Sequence, residues 1–274
     1  MYTLNCNGKL MVVDKPVVMG IINTTPDSFF IGSRIQETDA ILFKAEQMIA
    51  MGAGILDLGG QSTRPGSVAV NEEEELRRVI PGIEAIHERF PDIFLSVDTW
   101  FSRVAREAVT AGASLVNDVS AGTMDPALID TVASLRVPYV LMHMKGKPST
   151  MQQEATYDDV TGEVLDFFIR EIPRIREAGV QDIIVDPGFG FAKTIDHNFT
   201  LLKNLAAFQM LQCPVLAGLS RKSTIYKTLN ISPEEALNGT TVLNTIALMN
   251  GASILRVHDV KEAVEAVTLL ARLR

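Results

Sequence analysis

Asp182-Ile183-Ile184-Val185-Asp186-Pro187-Gly188-Phe189-Gly190-Phe191-Ala192-Lys193 is the stretch whose reading decides the architecture. A short β-branched run ends abruptly in a carboxylate, then in Pro and Gly. Ile and Val at this density suit a strand buried on both faces. Pro187-Gly188 stops it. Asp186 therefore stands at the C-terminal tip of the strand. The same unit recurs along the chain: apolar strand, polar residue at the tip, loop, amphipathic helix.

Working outward, residues 17–22 read as the first core strand, reaching Asn23. Residues 54–58 form the second, with Asp57 near its end, and 93–97 the third, ending at Asp98. Leu115-Val116 runs into Asn117 and Asp118, and 139–142 into His143. Downstream of the quoted stretch, 214–217 leads to Gly218 and Ser220-Arg221-Lys222-Ser223, and Ile254-Leu255 to Arg256-Val257-His258. Between them lie helical patterns. Residues 38–50 close at Gly52. Asn71 and Glu74 make a capping pair for the next helix, which Pro81 is expected to bend or split. Further helices are expected at 102–111, from Asp125-Pro126, at 158–178, at 197–211, from Ser232-Pro233-Glu234-Glu235 to Gly251, and finally behind Asp259 and Glu262. Eight strands alternating with eight helical patterns force parallel pairing with helical crossovers. The predicted fold is α/β, a (β/α)8 TIM barrel spanning 1–274 as one domain. Asn7-Gly8 marks an N-terminal β-hairpin over 1–14, read as a plug over one end. An open doubly wound sheet is the alternative. Against it, the first strand–helix turn has no G-x-G-x-x-G, and no Walker A loop is present.

Composition narrows the partners. The 274 residues are 47% hydrophobic and carry a net charge of -8, which argues against nucleic acid or an acidic membrane. A local basic pocket for a small anion is still compatible with that charge. Cys6 and Cys213 are the only cysteines, so a zinc site and a structural disulfide are not expected, and a reducing cytoplasmic setting is. Asn5, Asn7, Lys9 and Asp14 interrupt any signal-peptide-like run. No apolar segment is long enough for a membrane span.

In a barrel of this kind the site lies at the C-terminal ends of the strands. The tip residues are Asn23, Asp57, Asp98, Asn117, His143, Asp186, Ser220 with Lys222, and Arg256 with His258. One polar tip is ordinary, but eight converge on one pocket. The pocket is expected to divide by charge. Asp98, Asn117 and Asp186 would accept paired N–H donors from a ring with an amidine-like edge, although Asp98 followed by Thr99 could instead cap a helix. Lys222, Arg256 and His258 follow the seventh and eighth strands, where this fold often binds phosphate; surface salt bridging is the weaker alternative, since two cations, with a third possible on His258, flank the same barrel edge. Arg221 is expected to be solvated. Phe29 and Phe30 could stack on an aromatic substrate or pack under their own loop. Residues alone thus indicate a barrel enzyme for a hydrogen-bonding heterocycle beside a phosphorylated group.

With these motifs the chain resembles the dihydropteroate synthase family over nearly its whole length. The resemblance rests on Asn23-Thr24-Thr25-Pro26-Asp27-Ser28-Phe29, Asp57-Leu58-Gly59-Gly60-Gln61-Ser62-Thr63-Arg64-Pro65-Gly66, Ser96-Val97-Asp98-Thr99, Asn117-Asp118 and Leu141-Met142-His143-Met144. It continues through Asp186-Pro187-Gly188-Phe189-Gly190-Phe191, Ser220-Arg221-Lys222-Ser223 and Arg256-Val257-His258-Asp259. It implies a transferase of folate biosynthesis that joins 6-hydroxymethyl-7,8-dihydropterin pyrophosphate to p-aminobenzoate, with Mg²⁺ assisting. By resemblance, the pterin set is Asp98, Asn117, Met142, Asp186, Phe191, Gly218 and Lys222. The pyrophosphate set is Asn23, Thr63, Arg64, Arg256 and His258, with Asn23 also the metal ligand. The p-aminobenzoate set is Phe29, Thr63, Pro65, Phe191 and Ser223. Asp98, Lys222, Arg256 and His258 would carry the chemistry. A homodimer and sulfonamide sensitivity are also implied. Three positions depart from the family pattern: Phe30-Ile31 replaces Ser-Asp, Gln61 replaces Glu, and Ala192 replaces Gly. Two other readings share the pterin-binding barrel: a methyltetrahydrofolate:corrinoid methyltransferase domain, which has no need of Lys222, Arg256 and His258, and a non-catalytic pterin-binding paralogue.

Overall fold

The computed structural model describes residues 1–24, 34–61, 70–148 and 150–273. β1 (Tyr2–Cys6) and β2 (Lys9–Val13) form the expected antiparallel hairpin, with Cys6 paired to Lys9. Asn7 and Gly8 both have positive φ, 54° and 86°, the geometry of a two-residue turn matched to strand twist.

Eight strands follow: β3 (Val17–Asn23), β4 (Ile55–Gly59), β5 (Phe94–Asp98), β6 (Leu115–Asp118), β7 (Tyr139–Met142), β8 (Ile183–Asp186), β9 (Leu216–Ala217) and β10 (Ile254–Val257). They form one parallel sheet in the order β8-β7-β6-β5-β4-β3-β10-β9. A bridge between Val185 and Val215 brings its two edges together, so the sheet is nearly closed as a barrel. Between the strands run α1 (Arg34–Ala50), α2 (Glu72–Arg89), α3 (Ser102–Thr110), α4 (Leu128–Leu135), α5 (Val160–Glu177), α6 (Ile195–Lys203), α7 (Ser223–Leu229), α8 (Leu237–Met249) and α9 (Val260–Leu270). The barrel expectation holds, and the open-sheet alternative does not.

The period of two along each strand sorts side chains between the barrel interior and the helices. Outward residues such as Leu56, Leu58, Val116, Leu141 and Val185 join the helix-packed core. Inward, Met19, Ile55, Leu115, Val140, Ile184, Leu216 and Ile254 form an apolar layer. Leu4, Cys6, Met11 and Val13 of the hairpin seal it from below. Two residues further along the same strands come Ile21, Asp57, Asn117, Met142, Asp186, Gly218 and Arg256. A largely polar layer thus sits directly on an apolar floor, and the strand periodicity alone puts it there.

Several local expectations are corrected. Pro81 does not break α2, which is continuous over Glu72–Arg89. Its buried stripe of Leu76, Val79, Ile83 and Ile86 runs past the proline and holds both halves against the barrel. α4 begins at Leu128 rather than at Asp125-Pro126; a turn precedes it, in which Asp125 accepts the Ala127 N–H on its carboxylate and the Leu128 N–H on its carbonyl, each at 3.0 Å, while its other carboxylate oxygen takes the Ser102 N–H at 2.7 Å. The helix expected from Ser232 begins at Leu237. Arg221 donates to the carbonyls of Pro233 and Glu234 at 3.1 and 2.7 Å, and these are the acceptors an earlier start would have used. Asp259 does not cap α9 with its side chain, because Arg221 holds both of its oxygens, at 2.9 and 2.8 Å. Arg221 is therefore an ion-paired brace and not a solvated cation. The Asn71 cap of α2 is present, accepting from Glu74 N–H at 2.9 Å.

Candidate active site

Arg256 is the hub of the polar layer. Its Nε donates to Asp57 Oδ2 and its Nη2 to Asp98 Oδ2, each at 2.6 Å. Asn117 Nδ2 donates to the same Asp57 oxygen at 3.0 Å. Asp57 is fully buried, while the side chains of Asp98 and Arg256 retain 18% and 20% exposure. The expected division into an acidic and a basic half is therefore overturned. The strand-eight guanidinium reaches across to strands two and three. Asp98 is engaged by a cation and does not cap α3.

Burial sets the charge states. It pushes the Asp98 carboxyl up to about 7, with Arg256 opposing and Asp57 adding to the rise. It raises Asp186 as well, against Lys222 and the Gly188 N–H, which donates to Asp186 Oδ1 at 2.7 Å. It brings the Lys222 ammonium down to about 8, with Asp186 opposing. Burial also works against the Arg256 charge, but Asp57 and Asp98 outweigh it and keep the guanidinium protonated.

Lys222 donates to the Phe189 carbonyl, and its ammonium lies 4.8 Å from the centre of the Phe191 ring. The turn that presents these groups needs glycine twice. A Cβ on Gly188, at φ +74°, would sit 2.0 Å from the His143 carbonyl oxygen, and one on Gly190, at φ +83°, 3.1 Å from Lys222 Cδ. Ala192 also lies in the left-handed region, at φ 49°, which explains why glycine suits that position. Lys193 pins the turn from beneath. It is buried, with its amine 3.0 Å from both His143 Nδ1 and the Phe191 carbonyl.

One wall is apolar. Trp100, Val119 and Met142 are buried together, with Phe101, Met124, Met144 and Phe191 packed against them. Opposite the carboxylates, His258 bonds Ser220 Oγ through Nδ1 at 3.0 Å. Ser223 opens α7 and is half-buried. Asn23 ends β3, half-buried, and its side chain bonds no described residue. Gly218 lies beneath the Lys222 amine, 3.5 Å from where its Cβ would be. His143 is buried against Phe167, with ring centres 4.9 Å apart. Phe29, Thr63, Arg64 and Pro65, with Phe30 and Ile31, lie outside the described residues.

The structure thus brings Asp98, Asn117, Asp186, Lys222, Arg256, Met142 and Phe191 to one mouth. It adds Trp100 and Lys193, and it gives Asp57 and Ser220, marked in the sequence only as strand-tip residues, specific bonding partners. The signal for Asp57 was present: it lies two residues beyond inward-facing Ile55. Asp118, next to Asn117 in sequence, points the other way. It accepts from Tyr139 Oη at 2.7 Å and from the Ser120 and Gly122 N–H groups at 2.7 and 2.6 Å, and so holds the loop after β6.

Residues 19–258 match the family model for pterin binding enzymes. Escherichia coli (strain K12) dihydropteroate synthase is 45% identical over 269 residues, 97% of this chain and 95% of that protein. The crystal structure of Yersinia pestis dihydropteroate synthase with a sulfonamide drug complex superposes with a TM-score of 0.93 at 41% identity, covering 100% of this chain and 99% of that one. Xanthomonas albilineans dihydropteroate synthase in complex with 7,8-dihydropteroate gives 0.89 at 40% identity, covering 99% and 98%.

Proposed function

The chain belongs to the dihydropteroate synthase family of pterin-binding enzymes, and from that membership we propose how its site works. The reaction joins 6-hydroxymethyl-7,8-dihydropterin pyrophosphate to p-aminobenzoate, releasing 7,8-dihydropteroate and pyrophosphate in folate biosynthesis. The observation that carries the reading is the bonded cluster of Asp57, Asp98, Asn117 and Arg256 beside Asp186 and Lys222, set on an apolar floor.

Asp98, Asn117 and Asp186 hold the amidine-like edge of the pterin, with Lys222 as its cationic neighbour. Met142, Phe191 and Gly218 line the ring, and the Trp100 and Val119 wall excludes water. Arg256 and His258, with Asn23, Thr63 and Arg64, receive the pyrophosphate. Phe29, Thr63, Pro65, Phe191 and Ser223 receive the p-aminobenzoate. An arylamine is a weak nucleophile, so stabilising the leaving group matters most. The C–O bond breaks first, and the dihydropterin ring shares the resulting cation beside Asp98 and Asp186. The amine nitrogen then bonds to that carbon and gives up its surplus proton to the departed pyrophosphate or to water, with no covalent enzyme intermediate. A secondary deuterium isotope effect above unity at the reacting carbon supports this order, and one near unity counts against it.

Mg²⁺ fits the residues in one specific way. Among the described residues no cluster of three His, Cys, Asp or Glu could hold a metal. The Asn23 amide, unengaged by any described residue, suits a cation that keeps waters and takes its remaining ligands from substrate phosphate. When bound, Mg²⁺ supplies charge neutralisation to the pyrophosphate.

A homodimer through α8 and α9 is part of the same proposal. Val242 and Met249 on α8 and Leu269 on α9 are 49%, 67% and 72% exposed. A cytoplasmic setting is supported by two buried free thiols, Cys6 and Cys213. Among the described residues no helix is long and apolar enough to cross a membrane.

The test is product formation by purified protein from both substrates with Mg²⁺, beside Lys222→Met. Dihydropteroate from the native protein, largely lost in the variant, supports the reading. No product with pterin binding retained makes this a binding paralogue.

A further inference from the structure

Ser220 follows β9, and His258 follows β10. These loops are adjacent because the two strands pair, Ile254 with Leu216 and Leu255 with Ala217. Two hydrogen bonds join the residues. The His258 backbone N–H donates to Ser220 Oγ at 3.1 Å, and Ser220 Oγ lies 3.0 Å from His258 Nδ1.

The hydroxyl can serve Nδ1 in only two ways. It donates its single proton to an unprotonated Nδ1, or it accepts from a protonated one. In the second case Ser220 Oγ accepts twice and its own proton must find another acceptor. Ser220 is 4% exposed and, among the described residues, Oγ has no other partner. A buried hydroxyl proton without an acceptor is costly. The first arrangement satisfies the hydroxyl, Nδ1 and the His258 backbone N–H together. Burial, and then Arg256 beside it, hold the imidazole down at about 4, so the ring carries one proton near neutrality. With Nδ1 serving as acceptor, that proton is on Nε2.

We infer that Ser220 is a positioning residue that fixes the His258 ring with its proton on Nε2, presenting an N–H donor to the departing pyrophosphate oxygen. The inference rests on the proposed placement of the anion at Arg256 and His258. The opposite tautomer would aim a lone pair at that anion and repel it. A hydrogen-bonded neighbour that selects the tautomer of a working histidine is a general device.

The experiment combines nitrogen NMR of histidine-labelled protein with steady-state kinetics. The chain has four histidines, and His258→Gln assigns the signal. In the native protein at pH 7, Nδ1 of His258 should resonate as the unprotonated nitrogen and Nε2 as the protonated one. Ser220→Ala should mix the two tautomers and lower kcat roughly tenfold, the scale of one misdirected hydrogen bond, with KM for p-aminobenzoate unchanged. Ser220→Thr should restore both signals, and Ser220→Cys, a weak donor, should resemble Ala. A native His258 protonated on Nδ1 overturns the inference, as does native kcat in Ser220→Ala. If His258→Gln keeps full turnover, the placement of the anion fails and the inference falls with it. If His258→Gln is impaired while Ser220→Ala is native, only the inference fails.

Discussion

Replacing Arg256 with Met removes the one cation bonded to both Asp57 and Asp98 while keeping most of the side-chain volume. Asp57 is fully buried and Asp98 partly so. Orphaning a buried carboxylate costs about 3–5 kcal/mol. Proton uptake limits that cost. Moving a carboxyl from its unfolded value near 3.9 to neutrality at pH 7 costs about 4 kcal/mol, since each pH unit is worth about 1.4 kcal/mol. An unpaired carboxyl has a folded pKa raised above its unfolded one. Its penalty is therefore absent below the unfolded value and grows as pH rises toward the folded one. Between pH 7.5 and 5.5, one extra proton held by the variant recovers about 2.7 kcal/mol. For a chain this long 1 kcal/mol shifts Tm by about 2 °C. Arg256→Met should thus melt about 6–10 °C below the native protein at pH 7.5, and the gap should be about 5 °C smaller at pH 5.5. Circular dichroism melts of both proteins at both pH values measure it. Adding Asp57→Asn to the variant should narrow the gap at pH 7.5. A drop under about 2 °C at pH 7.5, or an equal drop at both pH values, refutes Arg256 as the counter-ion of this cluster.

The pH profile of kcat/KM for the pterin substrate should be bell-shaped. Its rising limb should lie at about 7, where Asp98 ionises, and its falling limb at about 8, where Lys222 loses its proton; Lys222→Arg should abolish the falling limb, and a flat profile excludes both assignments. Gln61 donates to Glu75 and to the Val70 carbonyl, at 2.9 Å to the latter, and accepts from Val70 N–H at 3.0 Å. Gln61→Glu sets two buried carboxyls in contact, so a shared proton raises the folded pKa and stability is lost as pH rises; denaturant melts should show a loss of about 1–3 kcal/mol at pH 8 that fades by pH 5.5. Gly188→Ala forces a Cβ to within 2.0 Å of a backbone carbonyl at positive φ and should cost about 3 kcal/mol or more, whereas Ala192→Gly should leave Tm within about 2 °C of native.

The eight strands were legible because buried parallel strands announce themselves in β-branched runs, and the tip residues because a polar side chain at or beside the end of such a run marks its C-terminal tip, as at Asp98, Asn117 and Asp186. Arg256 was legible as a cation of the eighth strand. Its partners were not, because Asp57 lies 199 residues away and meets it only when the barrel closes. The same holds for Arg221, which holds the carbonyls before α8, where the helix starts later than the local capping signal at Ser232 placed it, and which takes both Asp259 oxygens, so that α9 starts where expected but without a side-chain cap. Ser232 and Glu235 do bond each other, Ser232 N–H to Glu235 Oε2 at 2.9 Å. Local chemistry formed the turn, and a long-range guanidinium decided where the helix began. Pro81 does not split α2 for the converse reason: the apolar stripe on either side of it outweighs one missing N–H.

The position of Arg256 also bears on how the two ends of a substrate communicate. A guanidinium engaged by Asp57 and Asp98 is only partly available to an incoming anion. In the proposed reading the pterin ring offers Asp98 and Asp186 new N–H donors, which loosens the hold of Asp98 on Arg256. The freed Nη2 can then turn toward the pyrophosphate, while Asp57, buried and braced by Asn117, keeps Nε in place. Ring binding and leaving-group stabilisation are thereby coupled through one side chain. Free pterin and free pyrophosphate should each bind more weakly alone than in the presence of the other, and by reciprocity the two gains must be equal. Asp98→Asn should abolish most of that mutual gain while leaving the affinity for pyrophosphate alone unchanged or improved, since it releases half of the guanidinium from its partner. Titration calorimetry of native and variant protein with each ligand, alone and after saturation with the other, measures the four affinities of each protein. Equal mutual gains in both proteins would remove Arg256 as the link.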